Sequence, residues 1–333
     1  MADSALPCAL DIADIEFPSQ VFDLSFHPNR NVIASGQING EVHVHKFGKE
    51  GNTLLMELNH HKKACRAVQF SADGLYLMTA SKDKSIQAVD MNTGSVCRTI
   101  RKAHESPINC LKILNQNLIA TGDDDGGIKF WDTRTSSSVG ESSENKDYIS
   151  DMECNRDNRT LLAASGDGTL SVFNIRRKRF EARSENQENE LLSLVIIKNG
   201  SKVVCGTSDG VLHIFSWDHW SDINDRFPGH PMSVDACVAL TEDIICTGSM
   251  DGIIRAVGIL PNRFLGVVGE HGEFPIEQIH LSPDRNLLAS CSHDQKIKFW
   301  DVRHFKEAAL SEEIPTKTKP TKSTGTENFF EDL

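Results

Sequence analysis

The sequence predicts an all-β protein, a seven-bladed β-propeller that forms one closed domain. Two observations lead to this prediction: a short motif recurs seven times, and its copies are evenly spaced. In each copy an apolar strand enters a tight turn and a second apolar strand follows, as in IATGDDDGGIKFWD and LASCSHDQKIKFWD. A repeat of about 40–45 residues is the length of a four-stranded blade, and blades in a ring bury their apolar sides against one another.

The turn residues define the seven blades. Successive turns lie 42 to 44 residues apart, and a branched apolar residue stands three positions after each turn. The alternation in Ile128-Lys129-Phe130 is typical of a strand with one buried face. In chain order the turn residues are Asn39, Asp83, Asp125, Asp167, Asp209, Asp251 and Asp294.

Composition divides the chain into three parts. Residues 1–9 are predicted to be a flexible N-terminus, and residues 10–305 are predicted to form the propeller. Residues 306–333 are rich in Lys, Thr and Pro, so we expect a short disordered C-terminal tail. The pair Phe329-Phe330 in this tail is either a short docking motif or simply the end of the chain.

Charge and cysteine content restrict the class of protein. Acidic residues outnumber basic ones by 47 to 35, and the net charge of −12 repels nucleic acid at long range. The nine cysteines form no CxxC pair, so we expect free thiols in a reducing compartment rather than a zinc cluster or a disulfide framework. The start resembles no signal peptide and no apolar run reaches bilayer length, so a membrane is not an expected partner.

Sequence motifs for catalysis and metal binding are missing. The chain contains no GxSxG, Walker A or GxGxxG string. The acidic run Asp123–Gly127 lacks the ligand spacing of an EF-hand. His43 and His45 share one face of a predicted strand, but no third ligand can be placed from the sequence. We therefore expect no enzymatic activity, no metal and no cofactor.

Two Trp-Asp dipeptides give the chain a resemblance to the WD-repeat (WD40) family. Trp131-Asp132 and Trp300-Asp301 follow their turns, and four blades carry the family's upstream histidine. In that family a His, a Ser or Thr, the turn Asp and the Trp form a buried hydrogen-bonded network. The four histidines are His61, His104, His230 and His271. The resemblance implies two complete structural networks, formed by His104, Thr121, Asp125 and Trp131 in blade three and by His271, Ser290, Asp294 and Trp300 in blade seven.

The resemblance also implies how the ring closes. Residues 13–17, Ala-Asp-Ile-Glu-Phe, alternate apolar and acidic side chains, as an outer strand does. In the WD-repeat family such a strand completes the last blade, whose inner strands here come from residues 276–302. Closure matters because an open stack of blades exposes unpaired sheet edges.

Basic residues at equal offsets predict a partner-binding rim. Arg134, Arg176 and Arg303 each stand nine residues after their turn, which places them at equivalent strand ends on one rim of the disc. Blade four continues as Arg176-Arg177-Lys178-Arg179, which is a solvated hairpin turn, a binding patch or a nuclear import signal. On the opposite rim we expect a second partner to meet residues that precede the turns, namely Lys82, Asp124, Met250 and His293.

Several longer strings resemble the WD repeat-containing protein 55 family over roughly residues 19–305. They include HKKACRAVQFSADG, SGDGTLSVFNIRRKRFE and CTGSMDGIIRAVGILPNRFLGVVG. The resemblance implies a scaffold of the nucleus and nucleolus, with the cytoplasm as a further location, that acts in ribosomal RNA processing and large-subunit assembly. The implied partners are pre-ribosomal assembly factors or ribosomal proteins, bound by a monomer; direct contact with RNA stays open.

Two other functions fit the same fold. Trp131-Asp132-Thr133-Arg134 and Trp300-Asp301-Val302-Arg303 are WDxR strings. In many WD-repeat substrate receptors of cullin-4 ubiquitin ligases, a WDxR arginine contacts the damage-binding adaptor, so this adaptor is an alternative partner. A histone or peptide reader that uses the central cavity is the second alternative.

Overall fold

A computed structural model describes residues 12–135 and 137–312 of the chain, with side chains through residue 307. Its strands form seven antiparallel four-stranded sheets, and the sheets stand around a common axis as the blades of a propeller. The predicted all-β, seven-bladed architecture is confirmed. The predicted flexible segment 1–9 and residues 313–333, with Phe329-Phe330, lie outside the described residues.

Blades one to four are built from consecutive strands, ordered from the axis outward. Blade one contains β2 (Val21–Phe26), β3 (Val32–Gln37), β4 (Val42–Lys46) and β5 (Thr53–Leu58). Blade two contains β6 (Cys65–Phe70), β7 (Tyr76–Ser81), β8 (Ile86–Asp90) and β9 (Ser95–Ile100). Blade three contains β10 (Ile108–Asn115), β11 (Leu118–Asp123), β12 (Ile128–Asp132) and β13 (Ser138–Ser142). Blade four contains β14 (Ile149–Cys154), β15 (Thr160–Ser165), β16 (Leu170–Asn174) and β17 (Arg179–Arg183).

Blades five and six repeat this order, and blade seven joins the two ends of the described chain. Blade five contains β18 (Leu191–Ile197), β19 (Lys202–Thr207), β20 (Leu212–Ser216) and β21 (Asp225–Phe227), with one turn of 3₁₀ helix at Lys198–Gly200. Blade six contains β22 (Val234–Ala239), β23 (Ile244–Ser249), β24 (Ile253–Gly258) and β25 (Arg263–Glu270). Blade seven contains β26 (Ile276–Leu281), β27 (Leu287–Ser292), β28 (Lys296–Asp301) and β1 (Ile15–Glu16).

The core lies between neighbouring blades. Between blades three and four, Phe130 and Phe173 are fully buried with ring centroids 6.3 Å apart, and Ile149 packs in the same cluster. Each fully buried side chain of this size contributes about 1.5–3 kcal/mol relative to its exposed state. The alternation after each turn places one strand face in such a cluster, so the blades are held mainly by their flat apolar sides.

The N-terminal strand closes the ring, as the resemblance implied. Ile15 pairs with Ile297 and Glu16 with Lys296, so β1 becomes the outer strand of blade seven. Ile15 and Phe17 are buried in a cluster with side chains of blades one and seven. The innermost strands β26 and β2 also contact each other, so closure joins the first and last blades at the axis and at the perimeter.

A short helix follows the last strand of blade seven. The chain continues beyond the last strand as helix α1 (Arg303–Glu312), so the first seven residues of the predicted disordered tail are helical. Phe305 in the first turn is buried and lies against Gly266 of β25. The buried Phe305 side chain attaches the start of helix α1 to the propeller, although the residues that follow it are mostly polar. This helix is too short and too polar for a membrane span, and the described residues contain no other candidate for one.

Candidate functional site

The blade-seven network has the geometry expected for a structural role. The His271 Nδ1 atom lies 2.7 Å from a carboxylate oxygen of Asp294, and Nε2 lies 2.7 Å from Oγ of Ser290. The Trp300 indole N–H donates to the same Oγ at 2.8 Å. Because a carboxylate only accepts, Nδ1 carries the proton and Nε2 accepts the serine hydroxyl. The imidazole is buried and ties the loop before blade seven to β27 and β28.

Blade three contains the same network with a different aspartate. His104 contacts Thr121 and Asp123, each at 2.7 Å, and the Trp131 N–H donates to Thr121 at 2.8 Å. The prediction that Asp125 holds this histidine was wrong, because Asp125 is exposed at the tip of the turn. Asp123 occupies a position that is Ser or Thr in most other blades, and its carboxylate also accepts the backbone N–H of Gly127 at 2.7 Å.

Gly127 leaves space for the Asp123 carboxylate, which contacts His104 in place of Asp125. A Cβ at this position would lie 2.8 Å from a carboxylate oxygen of Asp123. The carboxylate therefore folds back over the turn, where it reaches the histidine from the end of β11. Because three aspartates are consecutive here, the sequence did not show which one contacts His104. Spacing alone favoured Asp125, which aligns with the other turn residues.

The remaining upstream histidines make incomplete networks, as predicted. In blade two, His61 lies 2.8 Å from Oγ1 of Thr79 and 3.3 Å from Asp83, without a Trp. In blade six, His230 lies 2.9 Å from Oγ1 of Thr247, but Asp251 is bound to Arg255 at 2.6 Å instead. Burial lowers the pKa of His230 to about 4, so its imidazole is neutral at pH 7.

His43 has acidic neighbours that the sequence did not reveal. Its Nε2 lies 3.3 Å from Glu41, and Glu57 is its cross-strand partner on β5. The ligand atoms of these three residues lie within 4.8 Å of one another, whereas His45 is outside the group. The contact with Glu41 is an ion pair only when the imidazole is protonated.

A contiguous basic surface lies where the third strand of a blade turns into the fourth. We call the side of the disc with these turns the hairpin face, and its residues Arg134 and 176–179 the basic hairpin surface. Arg176, Arg177 and Arg179 are exposed. Hydrogen bonds from Arg134 lower the pKa of Asp132 in blade three most, and the charge of Lys178 from blade four lowers it as well. Lys178 packs so closely on Gly140 that an added Cβ would lie 2.6 Å from it. Blades three and four therefore present these cations together.

Arg303 does not join the basic hairpin surface. It occupies the equivalent strand end in blade seven, three blades away from blade four, on the same face. Both WDxR arginines fold back onto the aspartate of their own string. Arg134 contacts Asp132 through Nε at 2.9 Å and Nη2 at 2.7 Å, and Arg303 contacts Asp301 through Nε at 3.0 Å.

The opposite side of the disc, which we call the turn face, carries the seven turns around the central opening. The four residues predicted there have different environments. Lys82 and Met250 are exposed. Asp124 forms a salt bridge with Arg66 at 2.7 Å, and His293 contacts Glu277. Arg66 and Glu277 are the second residues of their innermost strands and were missed by sequence reasoning. The sequence feature that could have identified them is their shared position: each directly follows the buried first residue of its strand, β6 or β26.

Comparison with known proteins gives a consistent result. The family model WDR55 matches residues 12–305. WD repeat-containing protein 55 of Bos taurus is 43% identical over 329 residues, covering 96% of this chain and 86% of the relative. The Homo sapiens protein of the same name is 42% identical over the same shares, and that of Arabidopsis thaliana is 42% identical over 89% of this chain and 84% of the relative.

Proposed function

Because the chain belongs to the WDR55 family, we propose that this WD-repeat propeller, a protein-interaction scaffold, serves nucleolar ribosome biogenesis in ribosomal RNA processing and large-subunit assembly. Its partners are pre-ribosomal assembly factors or ribosomal proteins, and it works in the nucleus and nucleolus. The propeller has two faces and a perimeter, so it can hold several partners at once.

The observation that carries this proposal is the basic hairpin surface. The chain as a whole has a net charge of −12, yet cations from two neighbouring blades meet on one side of it. Arg176, Arg177 and Arg179 are exposed, and a guanidinium can bind a carboxylate or a phosphate through two parallel hydrogen bonds. An acidic segment of an assembly factor or a ribosomal RNA phosphate fits this surface, whereas long-range charge discourages RNA elsewhere on the molecule.

The buried networks support a non-enzymatic role. His104 and His271 each contact an aspartate and a hydroxyl, which resembles a catalytic arrangement in composition only. Both imidazoles are fully buried, and each hydroxyl also accepts an indole N–H. These bonds leave no hydroxyl facing a substrate, so the groups hold the blades in shape.

The test is sedimentation of nuclear extract on a sucrose gradient, with the tagged chain detected across the fractions. We expect the wild type to co-sediment with pre-60S particles and the triple variant Arg176→Glu, Arg177→Glu, Arg179→Glu to shift to light fractions. Lys62→Glu, Lys63→Glu is the matched control, because these exposed cations lie on the turn face. Absence of the wild type from pre-ribosomal fractions would remove the proposal.

A cullin-4 substrate receptor is the second candidate. Its support is that Arg134 and Arg303 occupy equivalent strand ends and make the same contact with their aspartates. Affinity purification should then recover the damage-binding adaptor with the wild type and lose it with Arg134→Ala, Arg303→Ala. Recovery of pre-ribosomal proteins, unchanged in this double variant, contradicts the second candidate and favours the first.

A further inference from the structure

Three exposed apolar side chains form a patch on the turn face of blades six and seven. Met232, Met250 and Phe274 are 50%, 51% and 50% exposed. Met250 lies on the blade-six turn, and its N–H donates to the carbonyl of Ser233, next to Met232. The carbonyl of Phe274 lies 2.9 Å from the Cβ position of Gly252, in the same turn as Met250. The loops that carry the three side chains therefore touch one another.

Acidic side chains lie beside this patch, at the central opening. Asp235 and Glu277 are the second residues of the adjacent innermost strands β22 and β26. Burial, together with the charge of Glu277, raises the pKa of Asp235 to about 6. Gln20 donates to Glu277 at 3.5 Å from the first blade, and His293 contacts it from the blade-seven turn.

The acidic character extends to the next blade. The Tyr148 hydroxyl donates to Glu190 at 3.1 Å. Burial raises the pKa of this tyrosine, and the charges of Glu190 and Asp235 also raise it. Cations of the turn face in blades six and seven are bound to acids, Arg255 to Asp251 and Lys296 to Glu16, and others lie across the opening in blade two. Arg66 is bound to Asp124, and Lys62 and Lys82 stand on the loops of blade two. Asp235 and Glu277 on the innermost strands therefore line the opening beside the apolar patch with negative charge.

We propose that Met232, Met250, Phe274, Asp235 and Glu277, which we call the turn-face mouth, bind a partner peptide in which an Arg or Lys is flanked by apolar residues. The cation enters the opening toward the two carboxylates, and its apolar neighbours cover the methionines and the phenylalanine. Methionine suits such a surface because its flexible side chain adapts to different apolar partners. This inference deepens the proposed scaffold role, since it names the chemistry of a second partner on the face opposite to the basic hairpin surface.

Charge complementarity selects this occupant over others. A cation that leaves water is compensated only if it meets negative charge, and Asp235 and Glu277 provide that charge inside a partly closed opening. An acidic peptide or a phosphate group meets the same carboxylates with like charge. A purely apolar segment covers the patch but takes water from the carboxylates without bringing a compensating charge.

The experiment is a selection of random displayed peptides, about twelve residues long, on the purified full-length chain. We expect enrichment of peptides that combine Arg or Lys with neighbouring apolar residues. A synthetic peptide from the enriched set should lose at least about tenfold in affinity, measured by fluorescence anisotropy, toward Asp235→Asn, Glu277→Gln and toward Phe274→Ser. Glu105→Gln is the matched control, because it removes an exposed acid from the same face in blade three and should bind as wild type.

Thermal melting of each variant separates lost binding from lost folding, and Phe274→Ser tests the mouth without altering its two carboxylates. Several outcomes overturn the proposal: enrichment of acidic peptides, no enrichment above an unrelated propeller, or unchanged affinity in folded variants. Self-association of the chain that the same substitutions abolish would assign the mouth to a second copy instead. Because the selection uses the purified chain, failure of ribosome association in extract leaves its result unaffected.

Discussion

At the scale of single residues, the buried histidine networks decide how each blade is held. Blades three and seven each satisfy every polar atom of a His, a hydroxyl and an indole. In blade six the turn aspartate Asp251 binds Arg255 instead, so the Nδ1 atom of His230 has no hydrogen-bond partner. Such a network stabilises when complete and is costly when one partner is missing.

Asp123 and Asp125 make a matched pair of substitutions. Asp123→Asn should lower the free energy of unfolding by about 1–3 kcal/mol, because it weakens the acceptor of a buried imidazole. Asp125→Asn should change it by less than about 0.5 kcal/mol, since that side chain is exposed. Urea denaturation of the two variants measures the difference. Equal losses, or a larger loss in Asp125→Asn, would contradict the assignment of Asp123.

The blade-seven aspartate predicts a pH dependence. Burial by itself raises the pKa of Asp294, but the interactions with His271, the backbone N–H of Lys296 and the charge of Lys298 together lower it below its ordinary value. A carboxyl with a lowered pKa in the folded state stabilises above its unfolded pKa, and that stabilisation is lost as pH falls through the folded value. The stability difference between the wild type and Asp294→Asn should therefore shrink below about pH 4. Thermal melts from pH 7 to pH 3 test this, and a constant difference would contradict it.

At the scale of elements, the strands follow from local pattern, but pairing partners do not. The turn residues and the alternation after them indicated the second and third strands of every blade. The outer strand β1 consists of only two residues and lies far in sequence from its partner β28. Only a resemblance to other repeat proteins predicted this pairing, because a strand of that length carries almost no signal of its own.

Ile15 and Glu16 test ring closure in adjacent positions. Ile15→Ala should cost about 2–5 kcal/mol, because its side chain is buried between blades one and seven. Glu16→Gln should leave the melting temperature nearly unchanged, since its bond to Lys296 is an exposed ion pair. Hydrogen exchange should accelerate in β27 and β28 of Ile15→Ala only. Unchanged protection there would show that β1 does not hold blade seven.

Helix α1 shows what average composition does not reveal about the start of the C-terminal segment. Residues 306–312 were assigned to the tail from the average composition of the whole segment, which is polar. Phe305 precedes them and is buried against blade six. One aromatic contact of this kind can order a short segment. The average composition of the segment does not reveal such a contact.

At the scale of the whole molecule, closure produces two faces with different chemistry on a chain of net negative charge. The basic hairpin surface and the turn-face mouth lie on opposite sides of the disc, because the third strand of each blade runs from one face to the other. The eight cysteines within the described residues are free thiols, and several lie inside the blade interfaces. They report on whether the ring stays closed.

Cysteine reactivity is therefore a whole-molecule prediction. Cys97 is exposed and should be alkylated by iodoacetamide in the folded protein. Cys246 is fully buried, and burial raises its pKa to about 12, so neither access nor thiolate favours its reaction. Peptide mass spectrometry should show modification of Cys246 only after denaturant is added. Equal rates for both thiols in native buffer would contradict a closed, well-packed ring.

The sequence by itself determined the number of blades and the position of every turn, and its resemblance to the WD-repeat family added the members of the blade-seven network. These features are local and periodic, so a pattern of short range suffices to locate them. Tertiary structure decided what depends on neighbours distant in the chain: Asp123 rather than Asp125 as the partner of His104, the separation of Arg303 from the basic hairpin surface, and the joining of Met232, Met250 and Phe274 with two carboxylates. The physical reason is that spacing indicates which face of the disc a side chain reaches, whereas its partners depend on how adjacent blades and loops pack.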